Sequence, residues 1–123
     1  MIFKPRTLRE RNQLSMYGAF TPGAQMNTIR FAKNETLIHL IGKAIIAHKL
    51  RQRGNFLSEA YFDGGEFDLV SLSDKTAYEL VHTSDPPRLN LPEQIRDCFT
   101  VFVGDENMTI KELCQKAYKQ ANL

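Results

Sequence analysis

Apolar positions change rhythm along this chain. Between residues 34 and 53, Leu37, Ile38, Ile41, Ala44, Ile45 and Leu50 recur at intervals of about three to four until Gly54 stops the run, the spacing of a buried helix face. Asn34 is a good N-cap and Glu35 suits a first turn, so the pattern predicts one long, mostly buried helix. Beyond Gly54 the apolar residues gather in runs of strand length: 55–62, 66–72 and 76–82, divided by Asp63-Gly64-Gly65 and Ser73-Asp74-Lys75. Both gaps have turn chemistry, which predicts three adjacent strands with a hairpin at the second gap. Ser84-Asp85-Pro86-Pro87 cannot continue a strand in a sheet interior. Residues 91–97 then predict a short helix with Pro92 near its first turn. Residues 98–103 form an almost continuous apolar run ended by Gly104-Asp105, the pattern of a strand buried on both faces. Last, Thr109 caps residues 110–120, with Ile110, Leu113, Cys114 and Ala117 on one side, an amphipathic helix expected to dock on the sheet.

The expected order is helix, three strands, short helix, buried strand, closing helix, an α/β (α+β) domain over residues 34–123. Residues 1–33 carry Arg6, Arg9 and Arg11 among turn formers such as Gly18, Pro22 and Gly23, and read as a basic arm with one helical turn near residues 8–14. Met1-Ile2-Phe3-Lys4 is followed by charge rather than an apolar segment, and no run of 18 apolar residues occurs; neither a signal peptide nor a membrane span is expected. Cys98 and Cys114 sit in apolar surroundings without further ligands spaced for zinc, so buried free thiols and an intracellular, cytoplasmic protein are the expectation.

Charge changes the picture through its distribution. The net charge is +2, but residues 1–53 hold ten Lys or Arg against two acids, and the remainder six against twelve. A basic flank beside an acidic one suits a protein that grips a phosphate backbone while gathering carboxylates; solvated faces that happen to segregate would look the same. On the expected strands, alternation places Glu66, Asp68, Val70 and Leu72 on one face, and Ala77, Glu79 and Val81 on one face of the next strand. Asp68 and Glu79 both lie within apolar runs, where a carboxylate needs a partner, and a divalent cation between two of them is one such partner. A wet sheet face would carry acids with no further purpose. On the helix, Glu35, His39 and Lys43 stand at i, i+4 and i+8 on one face, which reads either as an exposed ion-pair stripe or as chemistry. Its tail, with Lys49, Arg51 and Arg53, is a basic patch suited to phosphates.

The glutamate of the first helix, Gly54 before the first strand, the run Gly64-Gly65-Glu66-Phe67-Asp68-Leu69-Val70 and Glu79 beyond it together resemble the PD-(D/E)XK, or restriction-endonuclease-like, nuclease superfamily. Within it, the chain resembles the small archaeal and viral Holliday-junction-resolvase-like enzymes. The resemblance spans roughly residues 34–104 and implies an αβββαβ core with a mixed central sheet flanked by helices. In that family a second-strand aspartate and a third-strand glutamate bind Mg²⁺ and a first-helix glutamate assists, which by position are Asp68, Glu79 and Glu35. The family's lysine, two residues after the third-strand acid, is replaced here by Val81; some members carry that lysine on the first helix, where Lys43 is the candidate. The resemblance thus implies a metal-dependent DNA endonuclease using Mg²⁺ or Mn²⁺, structure-selective rather than sequence-reading, and a homodimer for a branched substrate. Asp68, Glu79, the carbonyl of Leu80 and additionally Glu59 would serve as metal ligands, and His39, Lys49, Arg51, Arg53 and the arm's Arg6, Arg9 and Arg11 would contact DNA. The alternative implication is a degenerate member kept as a DNA-binding or assembly module.

Overall fold

The computed structural model describes residues 25–62, 65–81, 91–102 and 108–123. They form strand β1 (Gln25–Met26), helix α1 (Leu37–Arg53), strands β2 (Phe56–Phe62), β3 (Gly65–Ser71), β4 (Thr76–Val81) and β5 (Asp97–Phe102), and helix α2 (Ile110–Gln120). The strands make one sheet in the order β1-β2-β3-β4-β5, antiparallel except for β5, which runs parallel to β4. The architecture is α+β with a mixed sheet. No helix among the described residues is long and apolar enough to cross a membrane.

Each face of the sheet has its own core. On one, α1 and α2 bring Ile38, Ile46, Ala47, Leu50, Leu113 and Ala117 onto Phe56, Leu69, Tyr78, Leu80 and Val101. On the other, Leu57, Ala60, Phe67, Val70, Leu72, Ala77 and Ile95 pack together. Burying side chains of this size stabilises by about 1.5–3 kcal/mol each, so strand facing is set by which cluster a side chain enters.

That criterion exposes a slip in facing. Leu57 and Ala60 belong to the same cluster although three residues apart, as do Phe67 and Val70, whereas a regular strand puts such pairs on opposite faces. Pairing is continuous on either side of the slip, with Ser58 opposite Leu69 and Ala60 opposite Phe67. The two strands therefore reverse their facing together, at the rung between, which holds Glu59 and Asp68. Glu59 adopts φ +49°, a left-handed conformation that costs an L-residue roughly 1–2 kcal/mol. The expectation that Glu66 and Asp68 share a face with Val70 and Leu72 is therefore corrected: Val70 and Leu72 join the cluster away from the helices, and the two acids turn toward α1.

Gly54 caps the end of α1, as expected, its N–H on Leu50 O; a Cβ there would lie 2.2 Å from Ser73 Oγ. The start differs from expectation: Thr36, not Asn34, is the N-cap, its hydroxyl accepting from His39 N, which frees Glu35 for side-chain partners. Thr109 caps α2 over the expected range. The short helix expected at 91–97 is a single turn. Ile95 N bonds Pro92 O, but Arg96 N bonds Lys75 O and Asp97 already pairs with Thr76, so the sheet captures the chain before a second turn forms. Residues 25–33, expected to belong to the arm, join the sheet through β1, where Asn27 bonds Asn55 and Phe56. The helical turn expected near residues 8–14 lies outside the described residues.

Candidate active site

The ladder between β3 and β4 comprises Ser71–Thr76, Val70–Ala77 and Leu69–Tyr78. Immediately beyond it, the Asp68 carboxylate accepts the Leu80 N–H at 2.8 Å, so a side chain stands where strand pairing would have continued and the two strands part. Asp68 and Glu79 flank that opening. Above it a cleft of about 440 Å³ is lined by Glu35, His39, Lys43, Glu59, Glu66 and Asp68, with Ala32, Asn34 and Thr36. The facing slip is what places Glu59, Glu66 and Asp68 on the helix side of the sheet.

The first two turns of α1 supply the cations. Lys43 is 3 % exposed and gives one N–H to Glu35 Oε2 at 2.6 Å and another to the Arg30 carbonyl at 2.8 Å. A buried lysine needs such partners, and it has them. His39 Nδ1 bonds Glu35, while Nε2 lies 3.1 Å from the Leu80 carbonyl and 3.6 Å from Asp68 Oδ2. An acceptor at each ring nitrogen fits imidazolium, which donates from both. The Asp68 carboxylate, working against burial and reinforced by Glu35, pushes this histidine up to about 9. Burial raises Glu35, but its hydrogen bonds to Lys43 and His39 outweigh that and hold it below the ordinary glutamate value. Glu66 is raised, first by burial and then by the like charges of Asp68 and Glu59, although Tyr61 and Lys43 oppose the shift. Arg30 reaches Glu59 at 3.4 Å.

Four of the expected site residues thus form one network, His39 and Asp68 on the Leu80 peptide and Glu35 joining His39 to Lys43, with Glu59 lining the same cleft. Glu79 does not line it: Tyr78 and Leu80 both enter the helix-side core, so regular alternation turns the residue between them to the other face. The expected basic grip is also displaced. His39 lies within the acid cluster. Arg51 donates to Gly54 O, Arg53 faces Asp74 at 3.6 Å, and Lys49 lies 5.4 Å from the Tyr118 ring centroid. Arg53 is about 21 Å along the helix from His39 at 1.5 Å per residue. Arg6, Arg9 and Arg11 lie outside the described residues. Two participants were not expected, Glu66 and Arg30. Glu66 was signalled by its i, i+2 spacing from Asp68; Arg30 had no sequence signal.

A divalent cation of the kind the resemblance implies takes hard oxygen donors, and Asp68, Glu66, Glu35 and the Leu80 carbonyl fit it in kind. Among the described residues, no three His, Cys, Asp or Glu side chains are arranged to hold a metal ion; the His39 ring stands between Glu35, Asp68 and the Leu80 carbonyl. Comparison with protein-family models, curated proteins and solved structures finds no match for this chain.

Proposed function

We propose that this protein is a metal-dependent DNA phosphodiesterase of the restriction-endonuclease-like kind, with its active site at the mouth of β3 and β4. The observation that carries the reading is one network at the place where the two strands part: Glu35, just before α1, joins Lys43 and His39 of that helix, and His39 and Asp68 hold the Leu80 peptide, with a left-handed residue in the same wall. Strained backbone persists only where its surroundings enforce it, and such places cluster at functional sites. Lys43, on the helix, stands in for the lysine that Val81 replaces. The cation would lower the pKa of a bound water and offset charge on a phosphate. Asp68 is the central ligand in this reading, Glu66 takes the place expected of Glu79, and Lys43 stabilises the developing negative charge. The donors being oxygens, Mg²⁺ or Mn²⁺ is the ion of choice. A branched substrate calls for a homodimer, so that two sites meet two strands.

One observation favours a second reading. His39 and Lys43 already neutralise Glu35 and Asp68 without any ion, the condition of a module that keeps the fold and binds DNA without cutting it. The deciding experiment is cleavage of labelled linear, single-stranded and four-way-junction DNA with Mg²⁺ or Mn²⁺, wild type beside Asp68→Ala. The nuclease reading expects cutting by wild type that is lost in the variant and in EDTA. Binding of those DNAs with no cutting under either metal establishes the second reading instead.

A further inference from the structure

The cleft has an unusual rim. Phe31 is 64 % exposed and Tyr61 50 % exposed. Phe31 directly precedes the lining residue Ala32, and the Tyr61 hydroxyl hydrogen-bonds the lining residue Glu66, so each aromatic is attached to a residue of the cleft wall, one through the backbone and one through its hydroxyl. Neither is loose. The Arg30 carbonyl is bonded by buried Lys43, Ala32 exchanges hydrogen bonds with Glu35 through both its N–H and its carbonyl, and Ile29 packs on the core. Phe31 is therefore held outward on a backbone fixed on both sides, although burying a phenylalanine would stabilise by about 1.5–3 kcal/mol. Cations flank it: Lys33 is exposed, and Arg30, with Nη1 3.4 Å from Glu59, still leaves most of its side chain exposed.

Exposed aromatic rings interleaved with cations are the means by which proteins hold unpaired nucleotides: rings stack on base faces while cations follow the phosphates. In duplex DNA the base faces are already stacked on one another, so they offer such rings nothing. We infer that the cleft takes single-stranded DNA, or the unpaired strand at a break or junction, with one base stacked on Phe31 and another on Tyr61 and with Arg30 and Lys33 on the flanking phosphates. The inference deepens the nuclease reading by naming its substrate class. It also accounts for a basic tail of α1 that stands far from the cleft, because the cations used lie beside the aromatics.

The test is fluorescence anisotropy in EDTA, where nothing is cut, with a labelled oligothymidylate of about 12 nucleotides and a blunt duplex of equal length. The lengths are chosen to exceed one stacking platform and remain near a single site. Wild type is expected to bind the single strand at least tenfold more tightly. Phe31→Ala should lose about tenfold on the single strand, Phe31→Trp should retain it, and Arg30→Ala with Lys33→Ala should flatten the salt dependence. Circular dichroism confirms folding, which substitution at exposed Phe31 does not disturb. Equal affinity of wild type and Phe31→Ala for the single strand overturns the inference, as does tighter binding of the duplex. Its failure is distinct from that of the nuclease reading. Cleavage with Phe31-independent binding removes the substrate class and keeps the nuclease; Phe31-dependent binding without cleavage does the reverse.

Discussion

The two ends of α1 carry similar numbers of charged residues and use them in opposite ways. At the C-terminal end, Leu50 enters the core while Arg51 and Arg53 stay exposed, Arg51 meeting a carbonyl and Arg53 the partly exposed Asp74. At the other end Lys43 is 3 % exposed and the Glu35 side chain 6 %, and charge itself fills the interior. The same helical spacing thus leads to solvent at one end and to a buried ionic cluster at the other. What separates them is the sheet beneath: under Leu50 it presents apolar side chains, whereas beyond the slip at Glu59 and Asp68 it presents acids.

The largest effect on this contrast should come from Lys43→Ala. Removing Lys43 takes away one of the two cations on buried Glu35 and leaves His39, a loss of about 3 kcal/mol in urea unfolding; adding Glu35→Gln should recover part of it, and a simple sum of the two losses would contradict the coupling. At the other end Leu50→Ala should cost about 3 kcal/mol as a cavity in the helix-side core, with the His39 and Lys43 cluster left intact.

A pH series sharpens the contrast further. His39 stands at about 9 when folded against an ordinary 6.5, so its contribution to stability is complete below about pH 6.5 and is lost as pH rises through 9. Unfolding in EDTA between pH 6 and 10 should show wild type weakening over that range and His39→Gln weakening less; parallel curves would remove the imidazolium from the cluster. A smaller effect is expected at Glu59, where Gly suits φ +49°. Glu59→Gly should be about 1 kcal/mol more stable than Glu59→Ala, because both lose the Arg30 pair and only alanine keeps the strain. Smallest of all, Arg51→Ala and Arg53→Ala should each change stability by no more than about 0.5 kcal/mol, as exposed pairs do.

Where side-chain period and turn chemistry decide structure, the sequence was a good guide. The three central strands, Gly54 as a stop and the Thr109 cap follow from local patterns, since each depends on residues within a few positions; β5 forms as a strand but at the sheet edge, with Cys98, Phe99 and Thr100 only partly buried rather than enclosed on both faces. What escaped depends on partners distant in sequence. Ile95 and Arg96 give no sign that Lys75 will take the chain before a helix can form. The Glu59 and Asp68 slip is invisible in an alternating pattern, because the register across the strands is unchanged and only the facing reverses. That slip is why alternation gives Asp68 the wrong company, Val70; Glu66 stays on the same face as Asp68, as its i, i+2 spacing predicts. Glu35, His39 and Lys43 were legible as one face; that this face is buried was not, because burial depends on the acids it meets.

The account rests on the acid cluster at the parting of β3 and β4 accepting a divalent cation. Calorimetric titration of Mn²⁺ into wild type and Asp68→Asn tests this most directly. The account predicts saturable uptake by wild type that is lost in Asp68→Asn, although both proteins unfold cooperatively. Equal uptake by the two proteins, or none by wild type, would contradict it.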